Sequence, residues 1–135
     1  MAGYSGTPLA KKLGFKPGHR VRTSNAPDNY LELVSPRPDD VLISGALRKD
    51  IDIWHFFTKS ESALLAKLPG MKAAIRQDGM IWVSWPKKAS KVPTDMTEDV
   101  VRRHALPIGL VDVKVCAVDD VWSGLKLVIR KEFRQ

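Results

Sequence analysis

The sequence has one cysteine, Cys116, so no disulfide can close within the chain, and a reducing, cytoplasmic compartment is expected. It has no apolar run near the ~18 residues that cross a bilayer, so no membrane partner is expected. Met1 to Gly14 lacks the apolar centre of a secretory signal. Lysines and arginines are scattered, with no long basic run and no arginine-rich tail. A phosphate-cradling Walker loop, a Gly-x-Ser-x-Gly elbow and a Gly-x-Gly-x-x-Gly turn are all missing, which counts against the best-known α/β chemistries. His19, His55 and His104 show no ligand spacing and Cys116 has no partner nearby, so no metal site is expected, and Cys116 reads as a packed thiol. Repeats, low-complexity stretches and linkers are absent as well.

What is present is the composition of a globular protein. A length of 135 residues suits one domain, 1–135, and 44% hydrophobic with 27% charged residues excludes a disordered chain. The formal net charge of +7 favours an anionic small molecule or an acidic partner. Nucleic acid is possible but not favoured, because the charge comes with no recognisable reading motif.

The order of elements predicts an α/β fold. Thr7 as N-cap and Pro8 as first helical residue predict a short helix ended by Gly14. A turn at Lys16-Pro17-Gly18 leads to a strand over His19 to Ser24. Tyr30 to Ser35 reads as a short strand or a helical turn, and Val41 to Ser44 as another short strand.

Ile51–Phe57 and Met80–Trp85 are apolar on both faces, which predicts adjacent parallel strands at the centre of a helix-covered sheet. Between them Ser60 caps a helix with Leu64, Leu65 and Leu68 on one face. Pro69-Gly70 predicts a break, then a second short helix carrying Met71, Ala74 and Ile75 and ending at Asp78-Gly79. Asp95-Met96-Thr97-Glu98 has the spacing of a capping box and predicts a helix to Ala105. Alternating residues over Val111–Ala117 and Leu125–Arg130 predict an antiparallel hairpin. The expected fold is a three-layer, Rossmann-like α/β sandwich, its sheet mainly parallel with an antiparallel C-terminal hairpin.

Ligands of open α/β sheets bind beyond the carboxyl ends of the strands. Three loops are expected there. Trp85-Pro86-Lys87-Lys88-Ala89-Ser90-Lys91 places lysines beside an indole, which can hold an anion and stack a ring, or else packs Trp85 in the core under a solubilising loop. Asn25-Ala26-Pro27 offers a ligand-facing amide or a simple turn former. Thr58-Lys59 leaves a third strand. The candidate ligand-binding residues are Asn25, Lys59, Trp85, Lys87 and Lys88. Asp95, Glu98 and Asp99 sit at a helix start, and Arg102, Arg103 and His104 at its end, where the helix dipole accounts for them. No catalytic residue and no cofactor are expected. Trp122, in the hairpin loop, reads as a partner contact or as an indole folded over the sheet edge.

Several strings resemble a known family. The opening Gly3-Tyr4-Ser5-Gly6-Thr7-Pro8-Leu9-Ala10-Lys11-Lys12-Leu13-Gly14, the central Trp85-Pro86-Lys87-Lys88-Ala89-Ser90 and Thr94-Asp95-Met96-Thr97-Glu98-Asp99-Val100-Val101-Arg102, and the closing Leu110–Asp119 and Trp122-Ser123-Gly124-Leu125 are similar to a family of small bacterial proteins catalogued as a domain of unknown function. The resemblance implies a bacterial, cytoplasmic protein and supplies no site residues. The architecture also resembles the C-terminal half of Rossmann-like methyltransferases. Such enzymes place a glycine-rich turn after the first strand, where this chain has Asn25-Ala26-Pro27-Asp28-Asn29. They place an acid after the second strand, where Val34-Ser35-Pro36 is read here. The leading expectation is a non-enzymatic binding or regulatory domain for an anionic ligand or partner. The alternatives are a divergent or degenerate methyltransferase-like enzyme and a basic nucleic-acid-binding accessory protein.

Overall fold

The computed structural model describes residues 6–135, so the Gly3-Tyr4-Ser5 part of the opening string lies outside the described residues. The elements run α1 (Leu9–Leu13), β1 (Arg20–Ser24), α2 (Tyr30–Leu33), β2 (Leu42–Ser44), β3 (Ile51–Phe57), α3 (Glu61–Ala74), β4 (Ile75–Pro86), α4 (Glu98–Ala105), β5 (Leu110–Ala117) and β6 (Trp122–Ile129). One six-stranded sheet has the order β2-β1-β3-β4-β6-β5. The pairs β1–β2, β1–β3 and β3–β4 are parallel, while β6 runs antiparallel to both β4 and β5. β6 alone is therefore reversed, and the sheet is mainly parallel with an antiparallel C-terminal hairpin.

The two-faced apolar strands explain the layering. Along β4, Trp82 and Met80 join α1, α2 and Phe57 on one face, whereas Ile81, Val83 and Trp85 join α3 and α4 on the other. The parallel pairing of Ile53 with Met80 through Phe57 with Ser84 is the one expected. α4 is capped by Thr97, whose side chain accepts from the Val100 N–H at 3.1 Å, and it buries Val100, Val101 and Ala105.

Of the two readings left open for Tyr30 to Ser35, the helical turn forms, over Tyr30–Leu33, and buries Tyr30. Three local expectations are corrected. The first helix starts at Leu9, with Pro8 rather than Thr7 at the cap and no side-chain cap bond. Asp95 does not open α4; its carboxylate accepts from the Glu61 N–H at 2.8 Å and so serves the start of α3. Pro69 does not break α3. It lies on the exposed side of the helix, so the Leu65 carbonyl that loses its partner can turn to water.

The second short helix is also absent. Ile75 is the first residue of β4 and pairs with Ile51, and the register then slips so that Ile53 meets Met80. Gly79 makes that irregularity possible: a Cβ there would meet the carbonyl oxygens of Arg76 and Asp52 at 3.0 Å.

Candidate functional site

Because β1, β2, β3 and β4 run the same way, their ends at Ser24, Ser44, Phe57 and Pro86 open on one edge of the sheet. Backbone and side-chain bonds tie these ends together. Asn25 takes a left-handed backbone (φ 57°), which asparagine tolerates, and its amide donates to the Phe57 carbonyl at 3.2 Å. The Thr58 N–H donates to the Ser84 carbonyl at 2.9 Å.

The sequence candidates fall in different places along this edge. Asn25 is exposed and lines a groove. Lys59 is exposed, and its carbonyl accepts from the Thr94 hydroxyl at 2.7 Å. Lys87 is partly exposed, its N–H bonded to the Val121 carbonyl, and Lys88 is exposed on the single turn Lys88–Ser90. Trp85 is 7% exposed and packs with Met96 and Val100 in the core. None of these four lines the groove.

The groove, of about 870 Å³, lies between α3 and the Gly45–Arg48 segment, over the ends of β1 and β3. Its origin is a short connection. Only six residues join Ser44 to Ile51, too few for a helix, so β1 on this face is covered by a loop instead. Ala26, Gly45, Ala66, Gly70 and Ala74 keep the walls low. The floor holds Trp54, whose Nε1–H donates to the Ser24 hydroxyl at 2.9 Å. The Arg22 guanidinium sits 4.5 Å from the Trp54 ring centre and donates through Nη1 to the Leu47 carbonyl, while its Nε is buried without a hydrogen-bond partner. Arg48 and Lys67 add two more cations, and among the described residues no acid lines the groove. Sequence reading passed over Arg22, Arg48, Trp54 and Lys67. The available signal was the brevity of the Ser44–Ile51 connection, which leaves an indole and an arginine of neighbouring strands uncovered.

A second polar arrangement lies beneath the same edge, on the opposite face. His55 accepts or donates to Tyr30 Oη at 2.9 Å and Ser84 Oγ at 2.7 Å, and its ring stacks on Phe57 with centres 4.2 Å apart. His55 and Ser84 are fully buried and Tyr30 nearly so. Burial pushes the imidazole down to about 3, so His55 is neutral, and the same burial raises the Tyr30 phenol. With His55 and Ser84 fully buried and each hydrogen-bonded, the three residues form a satisfied polar link within the core. Among the described residues no group of His, Cys, Asp and Glu could hold a metal ion. Cys116 is 8% exposed, its thiol raised by burial, so it is not poised as a nucleophile. Trp122 packs edge-on against Phe57, with centres 5.1 Å apart. No described helix is long and apolar enough to cross a membrane.

No protein-family model matches the sequence, and no curated protein is significantly similar to it. Solved structures do match in fold. Ribosomal protein L11 methylase from Lactobacillus delbrueckii subsp. bulgaricus aligns with a TM-score of 0.57 and 10% identity over 90% of this chain and 74% of that one. A protein of the NADB-Rossmann superfamily from Streptococcus agalactiae aligns at 0.58 and 9% over 96% and 71%. TrmN from Thermus thermophilus aligns at 0.54 and 14% over 90% and 47%. At these identities the likeness shows the fold alone, a Rossmann-like mixed α/β sheet.

Proposed function

We propose that this chain is a binding domain for a small anionic molecule, held in the groove at the carboxyl edge of the sheet. The observation that carries this reading is the Arg22 guanidinium held over Trp54 with its Nε buried and unpartnered, flanked by Arg48 and Lys67 with no acid among the lining residues. Arg22 is half-buried, its Nη1 is bonded to the Leu47 carbonyl and its Nε lacks a partner, and a planar guanidinium suits an anion with planar oxygens. The volume is that of a small-molecule site. Asn25 lies at the rim, and Lys59, Lys87 and Lys88 add positive potential along the same edge.

The test uses two probes, inorganic phosphate and adenosine monophosphate, with calorimetry on the parent and on Arg48→Ala/Lys67→Ala. Both replaced residues are exposed, so unfolding free energy should change by less than about 1 kcal/mol. Binding of whichever probe the parent takes should weaken about tenfold or more, since two charge-assisted contacts are lost. Equal affinity in parent and variant contradicts the reading.

The fold neighbours favour a second reading, a divergent or degenerate methyltransferase-like enzyme. Against it stands Asn25-Ala26-Pro27-Asp28-Asn29 after β1, where side chains hold a nucleotide-like ligand away from the backbone. A micromolar dissociation constant for adenosylmethionine in the same calorimeter would promote this second reading over the first.

A further inference from the structure

We propose that the face of the sheet opposite the groove binds the phosphate backbone of a nucleic acid through Lys16, Lys114 and Lys126. The strand register carries the argument. Trp82 of β4 pairs with Lys126 of β6, and Lys126 pairs with Lys114 of β5, so the three side chains rise in one row from one face. α1 lies over the Trp82 end of this row, because the Trp82 Nε1–H donates to the Leu13 carbonyl at 2.9 Å. The turn after α1 carries Lys16 close enough to the row for its charge to act on Lys126.

Two like charges directly opposite across an antiparallel pair work against the sheet. Here a third reinforces them: the Lys126 ammonium is held below its usual range first by desolvation, then by the charges of Lys114 and Lys16. The Cys116 thiol, two residues further along β5 on the same face, is raised by burial, with the charges of Lys12 and Lys114 acting against that rise. Among the described residues no carboxylate forms an ion pair with Lys16, Lys114 or Lys126. Opposed lysines that no described carboxylate pairs carry a cost that a bound polyanion removes. Lysine presents a mobile point charge rather than a planar fork, and among the described residues the row offers no exposed aromatic anchor. That combination suits phosphates irrespective of base more than the packed centre of a protein interface. The net charge of +7 adds long-range attraction.

The experiment is fluorescence anisotropy with a labelled double-stranded oligonucleotide across a salt series. The parent should bind with a steep salt dependence. Lys114→Ala/Lys126→Ala should bind roughly tenfold or more weakly at low salt, with the salt slope shallower by about 2, close to 0.9 for each lost phosphate contact. Its melting temperature should be unchanged or higher, since a repulsive pair is gone. Lys49→Ala/Lys131→Ala, two exposed lysines elsewhere, removes the same charge and should keep the parent's slope. The proposal is overturned if the parent does not bind, if both double variants lose affinity equally, or if a polyglutamate peptide outcompetes the oligonucleotide through the same lysines.

Discussion

Unfolding measured between pH 7 and pH 5 should show the folded state losing about 2 kcal/mol, and His55 is the cause. Its imidazole is fully buried between Tyr30 and Ser84 and is pushed down to about 3, whereas in the unfolded chain it titrates near 6.5. The folded form therefore binds fewer protons than the unfolded form between those two values. The contribution is fully present above about pH 6.5 and is lost as pH falls toward 3, at about 1.4 kcal/mol per pH unit. Carboxylates also titrate at the acid end, so the decisive comparison is with His55→Gln, which keeps a polar group but cannot charge. That variant should be less stable at pH 7, because the Tyr30 and Ser84 hydroxyls lose well-placed partners at 2.9 and 2.7 Å. Its stability should then fall less steeply over the same pH range. Identical slopes in urea titrations of the two proteins would show that His55 is not the group responsible.

Trp82→Ala should cost about 3–5 kcal/mol, a large part of the 5–15 kcal/mol that holds a domain of this size together. The indole is fully buried in the layer formed by α1, α2 and the sheet, and its Nε1–H satisfies the Leu13 carbonyl at the end of α1. α1 has only five residues and cannot persist alone. Its attachment depends on that bond, on Ala10 and Leu13 in the core, and on Gly14 closing it at φ 89°. Trp82→Phe separates the two contributions: it keeps a ring in the core and should lose about 1–3 kcal/mol through the unpaired carbonyl. Amide exchange should show α1 opening first in both variants. Protection of α1 unchanged in Trp82→Ala would mean that something else holds it.

The centre of the fold was readable because β3 and β4 state their environment twice, once on each face. The alternation of Trp82 against Val83, or of Ile53 against Trp54, leaves little choice but a covered central strand. The reversal at β6 was readable for the complementary reason, since Leu125, Leu127 and Ile129 are core and Lys126 is not. Local signals failed where a tertiary partner outweighed them. Pro69 reads as a helix break, but Leu64, Leu68 and Met71 bury one continuous face across it. Asp95 has the spacing to cap its own helix and instead caps α3, a partner 34 residues away in sequence.

The candidate site was legible only in outline. The carboxyl edge follows from strand direction, and Asn25 was reached that way. Trp85 could not be assigned from sequence because its strand continues into Pro86, which still pairs with Trp122, so the indole stays under α4 rather than at the rim. Arg22 and Trp54 become neighbours only through the β1–β3 register. Their exposure depends on a missing helix, and an absence of that kind is read from loop length rather than from any motif.

The central claim is that an anion occupies the groove over Trp54. The most direct measurement is a nuclear magnetic resonance titration of the indole N–H signals with adenosine monophosphate and inorganic phosphate. The chain has four tryptophans, so four signals are expected. The Trp54 signal, from an indole bonded to Ser24 under the Arg22 guanidinium, should shift progressively and saturate with at least one of the two probes. The signals of Trp82 and Trp85, buried in the two cores, should stay in place. A Trp54 signal that does not move with either probe, at concentrations that shift others or none, contradicts the claim.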